Sequence, residues 1–238
     1  MRFSLLLATI LIGIVTFTPE AQASSFASYT GNEAVDVKAD DPWDSVNHPL
    51  FDFNLAFDRY LAKPVQSAYH VLPFSVRHSV SNVLTNLSEP LNTVHGVIQL
   101  NPKITFTSFW RFILNTTFGF GGLRDFAGEQ GLHNMDQNLG KTMGRWGVGA
   151  GPYVVLPVLG PSSARDTVGK VGDFFIDPVG WKFTLTEDLA QGVADGIDTR
   201  DRQDGIIDQL YYQSLDPYVA TRSAFRQHEA FEVLKKER

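Results

Sequence analysis

The sequence predicts an all-α protein with an irregular middle, and three observations carry that prediction. Apolar residues recur three or four apart through most of residues 41–232, as on one face of a helix. Asp or Asn followed by Pro, a helix-start signal, opens several of these stretches. Between Phe118 and Pro161 the periodicity stops and Gly and Pro crowd in, which forbids a regular helix and disfavours a central strand.

In chain order, residues 1–23 read as a secretory signal. Arg2 precedes an uncharged apolar run from Leu5 to Phe17, and Ala21-Gln22-Ala23 supplies small residues for cleavage. The run falls short of the ~20 residues that cross a bilayer as a helix. Residues 24–40 are small, polar and acidic and read as a flexible leader. Asp41-Pro42-Trp43-Asp44 then starts a helix whose Leu50, Phe53, Phe57 and Leu61 fall at helical spacing with Asp52, Asn54, Asp58 and Arg59 between them; Lys63-Pro64 should end it. A second helix is expected from Pro73 to Leu84 and a third from Glu89-Pro90 to Leu100. Asn101-Pro102 opens a fourth, in which Ile104, Phe106, Phe109, Trp110, Phe112, Ile113 and Leu114 leave almost no polar face, so that it must be buried in protein or lipid.

The middle segment holds Phe118-Gly119-Phe120-Gly121-Gly122 and the apolar stretch from Gly147 to Pro161, both suited to tight turning and close backbone approach. Helical signals return at Ser163-Ala164-Arg165-Asp166, pause at Asp177-Pro178, and resume from Glu187 to Tyr212 through Leu189, Val193, Ile197, Ile206, Ile207 and Leu210. A last helix runs from Asp216-Pro217, and residues 233–238 form a basic tail.

Composition narrows the function. With 43% hydrophobic and 12% aromatic residues the chain is not disordered, and with no Cys it has no disulfide, thiolate metal site or cysteine nucleophile. A net charge of −6 lacks the basic footprint that nucleic acid requires. No His-Glu-x-x-His, Gly-x-Ser-x-Gly or Walker pattern occurs, so no catalytic residue, cofactor or metal is assigned. Phe118 to Gly122 resembles a dinucleotide fingerprint only superficially, because it follows a helix rather than a strand. Asp204-Gly205 fails as a calcium loop, since Arg202 and Tyr211 stand where ligands are needed. Asp198, Asp201 and Asp208 with Arg200 and Arg202 read instead as a solvated helix face.

Several spaced blocks resemble one family. They are Asp41-Pro42-Trp43-Asp44-Ser45-Val46-Asn47, Phe51-Asp52-Phe53-Asn54, Asn86-Leu87-Ser88-Glu89-Pro90 and the run from Arg111 to Asp125. Gly147-Val148-Gly149, Gly151-Pro152-Tyr153-Val154-Val155-Leu156-Pro157, Gly160-Pro161, Arg165-Asp166, Asp177-Pro178 and Ser214-Leu215-Asp216-Pro217-Tyr218 follow in order. Together they are similar to the VacJ/MlaA family of outer-membrane lipid-asymmetry proteins, over about 41–232.

The resemblance implies a ring-like helical domain at the inner leaflet of the outer membrane, with a polar channel and no enzymatic activity. It further implies retrograde transport of misplaced phospholipid to a soluble periplasmic carrier, and association with a trimeric porin. Loops that are irregular inside a bilayer must be buried or line a wet cavity. The channel wall and gate are therefore expected at Gly119, Gly121, Gly122, Arg124 and Asp125, and at Gly147, Gly149, Gly151, Pro152, Tyr153, Pro157, Gly160 and Pro161, with Arg165 and Asp166 the nearby charges. Those four charged residues either pair among themselves or meet lipid headgroups. Periodicity alone makes the Phe-rich first helix a core element; the resemblance turns Leu50, Phe51, Phe53, Asn54, Phe57 and Leu61 into a membrane-facing amphipathic helix. Two departures stand out: many family members end their signal at an acylated Cys, which this chain lacks, and the segment between Asp177-Pro178 and Glu187 is short. An exported, porin-associated structural adaptor that affects lipids indirectly is the alternative reading.

Overall fold

In the computed structural model the described residues are 41–236, so the signal, the leader and the last two residues of the basic tail lie outside them. Among the described residues the regular structure is helical apart from one two-stranded ribbon. Helix α1 (Asp44–Phe57) passes through a π turn (Asp58–Ala62) into α2 (Lys63–His70) without leaving helical backbone. The expected stop at Lys63-Pro64 does not occur. Pro64 stands at the first turn of the renewed α register, where a missing N–H costs least. Asp41, expected as the helix cap, lies buried and accepts hydrogen bonds from Trp43 N, Asn47, Tyr218 and Arg222.

The two helices expected around Leu84 and Glu89 are one, α3 (Phe74–Ile98), with Pro90 inside it. Packing along the whole of α4 (Pro102–Thr117) outweighs the ~3 kcal/mol that an interior Pro costs. At their crossing a Cβ on Gly96 would lie 2.6 Å from Thr105 N, so this pair packs backbone to backbone. Asn101 caps α4 as expected, accepting from Ile104 N at 3.2 Å.

Short helices α5 (Phe126–Glu129) and α6 (Leu139–Arg145) lead into the ribbon, β1 (Tyr153–Leu156) antiparallel to β2 (Gly160–Ser163). The ribbon has no central strand, so Pro161 can sit with its missing donor on an open edge. Helix α7 (Ala164–Ile176) follows, capped by Ser163. The single helix expected from Glu187 to Tyr212 is instead α8 (Leu185–Arg202), α9 (Asp204–Asp208) and a second π turn (Gln209–Gln213). The last helix, α10 (Pro217–Lys236), begins where Asp216-Pro217 predicts. Phe51, Tyr153, Val155, Tyr218 and Phe225, from α1, β1 and α10, form the apolar core.

Candidate functional site

Polarity in this molecule runs partly inside out. On α4, Ile104, Ser108, Arg111 and Asn115 lie on one face and are buried, Arg111 to 1% exposure, whereas Phe106 (64%), Phe109 and Trp110 point outward. The expectation of a helix without a polar face is therefore corrected: α4 is amphipathic, with its polar side inward. Exposed apolar residues continue along the same hairpin at Phe74, Val76, Val97 and Leu100 (89%), and beyond it at Phe118, Phe120 and Leu123. An apolar surface of this extent marks a contact with protein or membrane. No described helix is long and apolar enough to cross a membrane.

The inward polar groups are paired. Arg111 donates to the buried Glu89 and to Leu132 O, and its Nη2 lies 3.1 Å from Asp125 Oδ1. Burial drives the Asp125 carboxyl up, but hydrogen bonds from Asn115 and Gly128 N and the charge of Arg111 together hold it below the usual carboxylate range. The face read as solvated on α8 is also corrected: Asp198, Arg200 (1%) and Asp201 are buried. Arg200 holds Asp58 at 2.8 Å, Asp204 at 2.6 Å and Asp208 at 2.7 Å. Asp201 gathers Gln66, His70 and Arg77 from the preceding helical elements. The bonds of Arg200 to Asp58 and of Asp201 to Gln66, His70 and Arg77 join positions far apart in sequence, which local charge patterning could not reveal, whereas Arg200 and Asp204 are one helical turn apart.

The ribbon is clamped by α1. Asn47 donates to Tyr153 O at 3.1 Å and accepts from Val155 N at 2.9 Å. Two turns further on, Asn54 donates to Leu156 O at 2.8 Å and accepts from Val158 N at 2.6 Å. Each amide covers one donor and one acceptor along β1 and its turn, the service a neighbouring strand would give. Phe51 lies between them in the core. Phe51 and Asn54 thus face inward, correcting their placement on the outward side of the helix; Leu50 is half-buried, Phe57 is half-buried and stacks on Phe53 at 6.5 Å, and Phe53 and Leu61 are exposed. Tyr60, which the periodicity passed over, is exposed beside them.

The remaining candidates fall into two places. Gly119 is buried, and Gly121 and Gly122 turn the chain at the end of α4, donating to Thr116 O and Asn115 O. At Gly122 the positive φ of 96° and Asn86 Cβ 2.9 Å from a notional Cβ together exclude a side chain. Gly147, Gly149 and Gly151 lie on the exposed loop before β1; Pro152 is half-buried, Tyr153 fully buried, Pro157 exposed in the ribbon turn, and Gly160 and Pro161 on β2. The four charged candidates are all ion-paired: Arg124 with Glu129 at 2.6 Å, Asp125 with Arg111, and Arg165 with Asp166 at 3.1 Å and Glu229 at 3.2 Å. Arg165 also reaches Val148 O at 3.3 Å, fastening the glycine-rich loop to α7 and α10. Among the described residues the Gly119 to Asp125 turn is held by α3, α4 and α5, through Asn86, Asn115, Arg111 and Glu129, whereas the ribbon is held by α1, α7 and α10.

Among known proteins, a family described as "MlaA lipoprotein" matches residues 39–232. The "Intermembrane phospholipid transport system lipoprotein MlaA" of Escherichia coli (strain K12) is 35% identical over 196 residues, covering 80% of this chain and 77% of that protein. The protein of the same description from Haemophilus influenzae is 31% identical, with 81% and 79% covered. A solved chain from "Structural basis for maintenance of bacterial outer membrane lipid asymmetry" superposes with a TM-score of 0.71 at 35% identity, covering 81% of this chain and 98% of its own.

Proposed function

Because the chain belongs to the MlaA lipoprotein family, a lipid-transport component rather than an enzyme family, we propose that it removes phospholipid from the outer leaflet of the outer membrane. The observation that carries the reading is the inverted polarity of the α3–α4 hairpin, with Phe106, Phe109 and Trp110 outside and Glu89, Arg111 and Asn115 inside. A helix whose aromatic face meets acyl chains and whose polar face meets a hydrated interior can sit in one leaflet without spanning it. With no Cys available for acylation, this face does the anchoring, with Phe53, Tyr60 and Leu61 of the first helical rod adding to it.

In this reading the glycine-rich loop and the ribbon from Gly147 to Pro161, and the turn from Gly119 to Asp125, form the wall and gate of the lipid path. The Asn47 and Asn54 clamp sets the resting position of that gate. Lipid then passes to a soluble periplasmic carrier, and a trimeric porin is the membrane neighbour, as the sequence resemblance implies. The test is transfer of a fluorescent phospholipid between donor and acceptor vesicles. The purified mature chain should accelerate transfer severalfold over spontaneous exchange; an unchanged rate contradicts the reading.

A further inference from the structure

Nine described residues carry a positive φ, and six of them are Gly, which takes that conformation without the steric penalty that a Cβ brings. The exceptions are Leu100 (φ 51°), Phe120 (φ 54°) and Val158 (φ 67°). Val158 has an internal reason, since its N–H is held by Asn54 and its neighbour Leu159 is buried. Leu100 and Phe120 have none: they are 89% and 77% exposed. Both follow a helix end of the same kind. Asn101 N donates back to Gly96 O at 2.9 Å across Leu100, and Gly121 N donates to Thr116 O at 3.0 Å across Phe120. In that closure the left-handed position is one that Gly commonly fills. Two apolar side chains thus stand where the fold favours none, and nothing among the described residues covers them. Strain with no internal return points to a contact outside the molecule.

The two residues bracket α4, with the exposed Phe106, Phe109 and Trp110 between them. Charge along this stretch selects the occupant. No Asp or Glu falls between Glu89 and Asp125, in a chain that has 26. Of the three Lys and Arg residues there, Arg111 is buried on Glu89 and Arg124 is paired with Glu129. That leaves Lys103, exposed in the first turn of α4, where a long stem lets the ammonium reach water. A surface so poor in charge can leave water for hydrocarbon with little desolvation cost. The spacing argues against a protein partner. Anchors of protein interfaces cluster at the centre of the contact, whereas Leu100 and Phe120 stand 20 residues apart. At helical rise that is about 30 Å. A fluid acyl layer needs no such centre and closes around both ends. One leaflet offers about 15 Å of hydrocarbon, half of the bilayer core, so both ends reach it only when α4 lies along the membrane plane.

We propose that Leu100 and Phe120 are paired wedges that enter the acyl chains of a phospholipid leaflet at opposite ends of α4, and so hold the α3–α4 hairpin along the plane of the membrane. The inference rests on the membrane attachment proposed above, and its test separates the two. The mature chain is floated with vesicles of phosphatidylethanolamine and phosphatidylglycerol, and its thermal unfolding is followed in solution. Leu100→Gly and Phe120→Gly should each hold or raise the thermal midpoint, by up to about 4 °C, because the left-handed strain is relieved. Each should nonetheless weaken partition by about ten- to a hundredfold, and the double variant should multiply the two losses, since sites this far apart act independently. The sequence has no Cys, so Leu100→Cys and Phe120→Cys each carry a single fluorophore. Brominated acyl chains should quench both labels to a similar extent. Wild type that fails to float would overturn the membrane reading itself, and the wedges with it. Unchanged partition in both glycine variants, or quenching of one label alone, would overturn the wedges and leave that reading standing. A lowered midpoint in either glycine variant would give the side chain a role inside the fold and overturn the inference. Flotation that appears only when a membrane protein is present in the vesicles would assign the face to protein and overturn it as well.

Discussion

The Tyr212 hydroxyl donates to Asp58 Oδ2 at 2.7 Å, and this bond joins the two π turns found among the described residues. A π turn widens the helix by one residue and is retained where geometry requires a side chain to be re-aimed. Here Asp58–Ala62 aims Asp58 at Arg200 while Gln209–Gln213 aims Tyr212 at Asp58, so the first helical rod and the α8–α9 region are tied through one carboxylate. Burial and the neighbouring Asp58 charge both raise the Tyr212 pKa, which keeps the hydroxyl a donor at any physiological pH.

Tyr212→Phe should lower stability by about 1 kcal/mol, the worth of one hydrogen bond to a charged group with part of its strength screened. Asp58→Ala should cost about 3 kcal/mol, because it also leaves Arg200 short of a partner in the interior. Thermal unfolding followed by circular dichroism measures both, and equal losses in the two variants would contradict the hub role of Asp58.

Loosening of the ribbon should follow from Asn54→Ala, which strands Leu156 O and Val158 N at once. We expect a loss of about 1–3 kcal/mol in local protection, read as faster hydrogen exchange over residues 153–163, with little change in α3 and α4. Asn47→Ala should release Val155 N in the same way. Unchanged exchange at Val155 and Val158 would show that the ribbon holds itself without α1.

Asp195 supplies a pH dependence. Burial drives its pKa up to about 6, helped by the nearby negative charges of Asp198 and Asp136 and only partly offset by Arg202. A raised carboxylate pKa means that the folded state holds the proton more tightly than the unfolded one. Its stabilisation is complete below about 3.8 and is lost as pH rises through about 6. Asp195→Asn should therefore be more stable than wild type at pH 7, by up to ~3 kcal/mol, and the difference should shrink below pH 5. A constant difference across that window would contradict the shift.

Membrane attachment should depend on the outward aromatics. Phe106→Ser and Trp110→Ser should each weaken partition into vesicles by about ten- to a hundredfold, since each removes roughly 1.5–3 kcal/mol of apolar burial. Raising salt should have little effect, in contrast to attachment through charge. Flotation with vesicles, with Phe51→Leu as a core-only control, measures this directly.

Helix identities and starts were legible because caps and periodicity are local. Asn101-Pro102 and Asp216-Pro217 mark real helix starts, and the family resemblance rested on local blocks too. What was not legible is which medium covers a face. The run from Ile104 to Leu114 shows that α4 is apolar, but Arg111 pairs with Glu89 and Asp125 only once α3 and α5 have packed. Arg200 and Asp58 lie 142 residues apart, so the charges on α8 looked solvated until the first helical rod covered them. Asn54 belongs inward for the same reason: its partners on the ribbon lie about a hundred positions away. Pro64 and Pro90 misled because a π turn and an extensive helix–helix contact overrode a local preference.

The most direct measurement of lipid removal is the amount of phospholipid exposed on the outer leaflet, read with a headgroup label that cannot enter the cell. Three strains are compared: one lacking the gene, one complemented with wild type, and one complemented with a Gly147 to Pro161 loop variant of normal abundance. Exposed phospholipid should rise on deletion, return to its base level with the wild-type gene, and stay raised with the loop variant. Unchanged exposure on deletion would contradict a transport role and favour a structural adaptor.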